Sequence, residues 1–267
     1  MKLHKAYAKV NVFLKITGTR GEYHEIVSRF MRVQNLYDEL SFVSKEEVDA
    51  KANEFKIIGD FSCETEQNTI YKAYFALKSA TNSDALEKLM QTYAIKVNKN
   101  IPAFAGLGGG SSDAATYLKM CNEVLHLGLS INELAQIGLK VGADVPFFIY
   151  GFNSANVSGI GEIVEEYDEA LLSFEVFTPD IKISTPKVYA TYRESFYEPI
   201  DGFETQRLKK MSSLDILNEM KADEANDLFK PALLEYSELK NHYKHGYYFS
   251  GSGSSFFRLK EKEEDNG

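Results

Sequence analysis

The sequence predicts a two-domain α+β protein, and three observations carry that expectation. Period-two alternation and helical spacing both recur along the 267 residues, but strands and helices do not alternate strictly, as a parallel α/β sheet would require. A run of small residues, Ser154-Ala155-Asn156-Val157-Ser158-Gly159-Ile160-Gly161, changes the texture past the midpoint and divides the chain into 1–153 and 154–267. A glycine-rich stretch, Gly106 to Gly110, opens into a helical pattern over 111–124, and the first domain is organised around it.

Taken in order, residues 6–16 alternate well enough for a strand. Lys9, Asn11 and Phe13 share one face, and Val10, Val12 and Leu14 the other. On pattern alone Lys9 and Asn11 suit a solvated face as well as a polar site. Thr17 to Glu22 reads as a turn. Residues 23–27 and 42–43 read as strands, and 45–54 as a charged loop. From Asn68 to Ser79 a helix is expected, with Ile70, Ala73, Tyr74 and Leu77 inward. Tyr93 to Val97 alternates again and feeds Pro102. Ser130-Ile131-Asn132-Glu133 is a capping box, opening a helix through Leu134, Ile137 and Val141 with Gly142 as its stop. Pro146 should hold Val145 extended, so 145–149 reads as an apolar strand. In the second half, 174–177 is strand-like, 189–197 is rich in tyrosine, and 212–220 and 231–243 carry helical pattern. Tyr247-Tyr248-Phe249 leads into a second Gly/Ser turn, Ser250 to Ser255, and then Phe256 to Leu259. Residues 260–267 are charged and should fray.

Composition narrows the function classes. The chain is 44% hydrophobic and 26% charged, with a net charge of −9, which disfavours nonspecific nucleic-acid binding. A phosphorylated ligand must then be held by local groups. No apolar run reaches membrane-spanning length, and Met1-Lys2-Leu3-His4-Lys5 carries no signal-peptide core. Cys63 and Cys121 lack metal-ligand spacing, so Cys121 reads as packing on the loop helix and the whole as a cytoplasmic protein.

The stretch Pro102-Ala103-Phe104-Ala105-Gly106-Leu107-Gly108-Gly109-Gly110-Ser111-Ser112-Asp113 is the strongest chemical signal. Glycines admit backbone angles closed to other residues. A helix N-terminus offers unpaired N–H groups and a positive dipole end to an anion. The bland alternative is a flexible turn capped by Ser111 or Ser112; the hydroxyls at the helix start favour phosphate. The loop is not a Walker A motif, because Ser111 stands where lysine is needed. Nor is it a dinucleotide fingerprint, whose sixth position would again be Ser111 rather than glycine.

Pro-x-x-x-Gly-Leu-Gly followed by Ser-Ser resembles the central motif of the GHMP kinases. The longer Gly-Leu-Gly-Gly-Gly-Ser-Ser-Asp-Ala-Ala, residues 106–115, resembles one branch, whose members phosphorylate a diphosphocytidyl-linked polyol in the non-mevalonate isoprenoid pathway. Ala8-Lys9-Val10-Asn11 looks like the first family motif, Gly142-Ala143-Asp144-Val145-Pro146-Phe147-Phe148 like the segment with the catalytic aspartate, and Ser250-Gly251-Ser252-Gly253 like the third motif. The resemblance implies a ribosomal-protein-S5-like first domain that binds ATP and a ferredoxin-like second domain that contributes to the substrate cleft. It implies Asp144 as general base, where the residues alone leave a turn cap equally open, with Lys9 beside it as the second catalytic residue. ATP would lie along Pro102 to Ser112, with Asn68 and Lys99 near the adenine. Mg²⁺ would be held through the phosphates, with Ser111 or Ser112 as candidate ligand. Asn11 would hold the acceptor alcohol. Tyr23 and Tyr189 would sandwich cytosine while His24 reads its polar edge; the alternative is that both tyrosines simply pack. Partners would then be small molecules only, with no nucleic acid and no membrane, in a monomer or homodimer. Rival readings are another acceptor (homoserine, mevalonate or a sugar) and a silent nucleotide or sugar sensor. Glu22 departs from the glycine usual before Tyr23.

Overall fold

The computed structural model describes residues 2–260. Its chain opens with two long strands, β1 (His4–Arg20) and β2 (Tyr23–Ser44), paired through a turn at Gly21 and Glu22. Gly21 takes the left-handed angle this tight turn needs, φ 61°. The expected turn at 17–22 is therefore shorter, because Thr17 to Arg20 continue the strand. The expected strands at 23–27 and 42–43 are the two ends of one strand. The polar, exposed Gln34 and Asn35 hide its continuity in the sequence.

Two compact units emerge. The first comprises 1–8, 34–103 and 108–152; the second comprises 9–33, 104–107 and 153–267. In the first, a short β3 (Ile57–Ile58) precedes α1 (Thr69–Thr81), α2 (Asp84–Thr92) and β4 (Tyr93–Asn98). β4 pairs antiparallel with the end of β2, Leu40 opposite Val97, and parallel with β3, Ile57 opposite Ile95. Next come α3 (Gly109–Val124), α4 (Ile131–Leu139) and α5 (Val145–Tyr150). α3 packs against α1, α4 and α5, burying Tyr117, Leu118 and Cys121. Each such buried side chain contributes about 1.5–3 kcal/mol relative to exposure. Burial raises the Cys121 thiol to about 12, in keeping with packing rather than reactivity.

Asn68 caps α1 by accepting from the N–H of Ile70, and the Ser130/Glu133 capping box opens α4 as its spacing requires. The 145–149 segment corrects the sequence expectation: it is the helix α5, not a strand. A proline in the first turn lacks only an N–H that would have no helical partner there. Packing decides the matter, since all five residues from Val145 to Ile149 are buried, with α5 packed on both α3 and α4. A side chain at Gly138 of α4 would meet Val145 and Ile149 at 2.7 and 2.6 Å.

In the second unit, β5 (Ser154–Gly159) pairs with the start of β2, Phe30 opposite Ala155, and with β6 (Ile163–Glu166). A separate antiparallel sheet contains β7 (Phe174–Phe177), followed in the chain by α6 (Thr185–Ser195), α7 (Gly202–Lys210), α8 (Ser213–Glu219), α9 (Ala222–Ala225) and α10 (Phe229–Glu235). β8 (Tyr248–Phe249) and β9 (Phe256–Leu259) complete that sheet in the order β7-β9-β8. Its core joins Leu14 and Ile16 of β1 to Val188 and Tyr192 of α6, Phe229 of α10, Phe249 and Phe256. The tyrosine-rich 189–197 segment is largely α6. Of the tail expected to fray, residues 261–267 lie outside the described residues.

Candidate active site

The phosphate-binding signal falls at the start of α3. Gly108 is its N-cap at φ 71°, ψ 18°, and makes no side-chain hydrogen bond to the first turn. α3 begins at Gly109, so Ser111 and Ser112 lie within the first turn and are not caps. Ser112 is buried, while Ser111 is half-buried. Gly110 is exposed, and its carbonyl accepts from Thr69 Oγ1 of α1 at 2.6 Å. Pro102, Ala103 and Phe104 form the exposed lip of the loop, and Phe104 itself sits at φ 55°.

Beside this turn lies a buried charge cluster. The Lys99 ammonium donates to Asp38 and, at 2.8 Å, to Asp113 Oδ2. Asp38 Oδ1 also accepts from the N–H groups of Asn100, at 2.5 Å, and Ile101, at 2.8 Å. Two carboxylates thus share one ammonium out of water. Burial raises the Asp113 carboxyl to about 7, with Lys99 opposing and Asp38 reinforcing the shift. Burial works against the Lys99 charge, but Asp113 and Asp38 outweigh it and its pKa rises. The Lys99 side chain is therefore engaged with carboxylates, and that of Asn68 with the α1 N-terminus.

Asp144 is the N-cap residue of α5, half-buried, and its carboxylate makes no capping bond to that helix. It follows Gly142, where an added side chain would approach Ser111 Oγ at 3.8 Å. Asp144 and the α3 start are thus neighbours within the first unit.

The second unit carries the other motif residues. Lys9 is buried, donates to Asn11 Oδ1 at 2.6 Å, and lies 4.4 Å from the centre of the Phe30 ring, a geometry that favours the cation. Its N–H donates to the Leu107 carbonyl at 3.0 Å. Asn11 in turn donates to Ser28 Oγ at 2.9 Å. Ser250 of the third motif donates to the Gly106 carbonyl at 3.0 Å and accepts from the Asn11 N–H at 3.3 Å. Gly106 must be glycine here: φ is 73°, and a Cβ would lie 2.1 Å from the Ser250 carbonyl. Ala105 accepts from the Ser255 N–H at 3.1 Å. First motif, loop residues 104–107 and third motif are thereby brought together. Ser28 had no signal in the sequence; it joins the network only because β1 pairs with β2.

Tyr23, His24 and Tyr189 meet at a cavity of about 560 Å³, whose wall also includes Thr185, Pro186 and Arg193. Tyr23 is 66% exposed, whereas His24 is only 7% exposed. The His24 ring lies 5.1 Å from that of Tyr189, centre to centre, and its Nε2 is buried without a hydrogen-bond partner. Burial, and then the nearby Arg193 charge, lower the His24 pKa below its ordinary value. The Tyr192 ring flanks His24 on another side, 5.8 Å centre to centre, and an aromatic wall of this kind suits a planar ligand. Sequence reading missed Arg193, as it missed the roles of Asp38 and Asp113; a charged residue alone gives no sign that folding will place it at a cavity.

A glycine loop on a helix N-terminus with a carboxylate close by, in the first unit, and a network tying Lys9 to the third motif, in the second, are the features expected of a small-molecule phosphotransferase of the GHMP type. The family model for the GHMP kinases N terminal domain matches residues 68–152. The chain is 72% identical over 266 residues to the 4-diphosphocytidyl-2-C-methyl-D-erythritol kinase of Sulfurimonas denitrificans, covering 98% of each chain. It is 42% identical to the enzyme of that name from Campylobacter jejuni subsp. doylei, covering 96% of this chain and 99% of the other. A crystal structure of 4-(cytidine 5'-diphospho)-2C-methyl-D-erythritol kinase superposes with a TM-score of 0.70 at 27% identity, over 97% of this chain and 90% of that one. This chain belongs to the 4-diphosphocytidyl-2-C-methyl-D-erythritol kinase family. It is a kinase, and ATP is its co-substrate. No helix among the described residues is long and apolar enough to cross a membrane.

Proposed function

We propose that the protein transfers the γ-phosphoryl group of ATP to the 2-hydroxyl of 4-diphosphocytidyl-2-C-methyl-D-erythritol. The observation that carries the acceptor is the Tyr23–His24–Tyr189 cavity. Stacking on an aromatic ring contributes about 1–3 kcal/mol per base, and the His24 imidazole in its wall supplies the polar contact that tells one pyrimidine from another.

In this reading the N–H groups of Gly109 to Ser111 and the α3 dipole hold the ATP phosphates, the Ser112 N–H being taken by the Gly108 carbonyl at 2.9 Å, with Pro102 to Gly108 covering the nucleotide, Ser112 closing the first turn beneath it, and Asn68 and Lys99 flanking the adenine side. Ser111 or Ser112 would hold Mg²⁺ together with the phosphates, and the ion would supply charge neutralisation there. The half-buried Ser111 is the better placed of the two hydroxyls to reach it, and no cluster of three or more His, Cys, Asp or Glu among the described residues offers a separate metal centre. Asp144 takes the proton of the 2-hydroxyl as its oxygen attacks the γ-phosphorus; the bond to the β-phosphate oxygen breaks and ADP leaves. Lys9 offsets the charge gathering on the transferred group, and Asn11, held by Ser28 and Lys9, positions the acceptor. The enzyme would act in the cytoplasm as a monomer or homodimer on small molecules alone, a reading that the net charge of −9 supports.

A coupled ADP-release assay over a panel of alcohols tests this. Turnover is expected with the diphosphocytidyl polyol and not with homoserine, mevalonate or sugars. Asp144→Asn should lower kcat by about 10²–10⁴-fold while the ATP dissociation constant holds. Near-wild-type turnover in that variant would remove Asp144 from the chemistry.

A further inference from the structure

Arg193 stands four residues after Tyr189 on α6, so the two side chains share one helix face, and both line the cavity with Tyr23 and His24. Its guanidinium does not point idly into solvent. Nη2 donates to the Glu22 carbonyl at 2.8 Å, and Nη1 lies 3.6 Å from the Glu22 carboxylate. Glu22 belongs to the β1–β2 turn, and Tyr23 is the first residue after it. At 66% exposed, Tyr23 has little packing of its own to hold it. The main tie between that turn and α6 is the bond to a backbone carbonyl, which any residue at position 22 would supply.

We propose that Arg193 is a positioning residue of the acceptor cavity, a latch that ties the β1–β2 turn to α6 and so sets the spacing between Tyr23 and Tyr189. The inference rests on the cytidine reading of that cavity. Its charge has a second consequence. The titratable and charged groups sharing the cavity with His24 or touching its ring are Glu22 of the turn, Tyr23 of β2, and Tyr189, Tyr192, Arg193 and Glu194 of α6. Burial is the larger cause of the lowered His24 pKa, and Arg193 is the charged group that adds to it. A neutral ring keeps one acceptor nitrogen for an amino group such as the one on cytosine. A protonated ring donates at both nitrogens and would suit the carbonyl of uracil at that position.

The test uses the whole protein with CMP and UMP as probes, titrated by calorimetry. Arg193→Ala should raise the CMP dissociation constant about 3- to 10-fold, the worth of one exposed charge-assisted bond, and narrow the preference for CMP over UMP near pH 6. The ATP constant is the control and should not move. Arg193→Lys, which keeps a donor and the charge, should recover part of the loss. Glu22→Gln should stay within about twofold of wild type, because its carbonyl remains and exposed ion pairs are weak. Proton resonances of the His24 ring should report a pKa moved back up toward 6.5 in Arg193→Ala, a change that mere loosening of the surface would not produce. CMP bound equally by wild type and Arg193→Ala would overturn the latch. Wild-type protein indifferent to CMP would instead overturn the cytidine reading itself. An unmoved His24 pKa would overturn the electrostatic part even where affinity falls.

Discussion

Asp113 lies in the loop motif, yet its side chain faces inward to Lys99, where its Oδ1 is buried without a partner. Its carboxyl titrates at about 7 in the folded protein, against 3.8 as the ordinary value. A raised pKa means that the folded state holds the proton more tightly than the unfolded chain. This contribution to stability is complete below the unfolded value and is lost as pH rises through the folded one. Wild-type protein should therefore lose stability relative to Asp113→Asn between pH 4 and 7, the window those two values bracket. Paired melts of both proteins at the two ends of that window check it. A constant difference would show that the carboxyl titrates normally.

At the scale of elements, the loop works because α3 starts on a left-handed glycine. Gly108→Val forces a β-branched residue to φ 71°, a conformation that costs L-residues on the order of 1–3 kcal/mol. It also puts a branched side chain at the mouth of the helix N-terminus. ATP affinity should fall in a variant that remains folded by circular dichroism. An unchanged nucleotide dissociation constant would reduce the motif to a turn. This loop was legible in the sequence because its requirements are local: backbone angles and free N–H groups. The 145–149 helix was not legible, because Pro146 speaks equally for an extended segment and for a helical first turn.

At the scale of the whole molecule, the second unit is pinned by one arginine. Arg29 is fully buried on β2 and donates to Asn156 at 2.9 Å, Glu169 at 3.2 Å and the carbonyls of Lys209 and Met211 at 3.0 and 3.2 Å. The Tyr167 ring lies 3.4 Å from its guanidinium carbon. Removing it takes the counter-ion from Glu169, which keeps only the Ser154 and Ser213 donors, and leaves the Lys209 and Met211 carbonyls short of one. Arg29→Ala should cost about 3–5 kcal/mol, as when one partner of a buried pair is deleted. A lowered denaturant midpoint would register the loss. An unchanged midpoint would show the network to be ornamental.

The sequence by itself determined the mixed α and β character, a glycine loop opening into a helix, the Ser130–Glu133 capping box and the order of the three motifs, while the start of that helix at Gly109 and the Asn68 cap came from the structure. Each of the former follows from neighbours in the chain: alternation, helical spacing, a hydroxyl before a helix, glycine where φ is positive. Only the tertiary structure decided that residues 9–33 are grouped with 153–267, that Ser28 supports Asn11, that Lys99 joins Asp38 to Asp113, and that Arg193 meets the turn before Tyr23. The last separation is 171 residues. Contacts over such distances depend on strand pairing and on which charges can be buried together, and nothing in the local spacing of the chain encodes either.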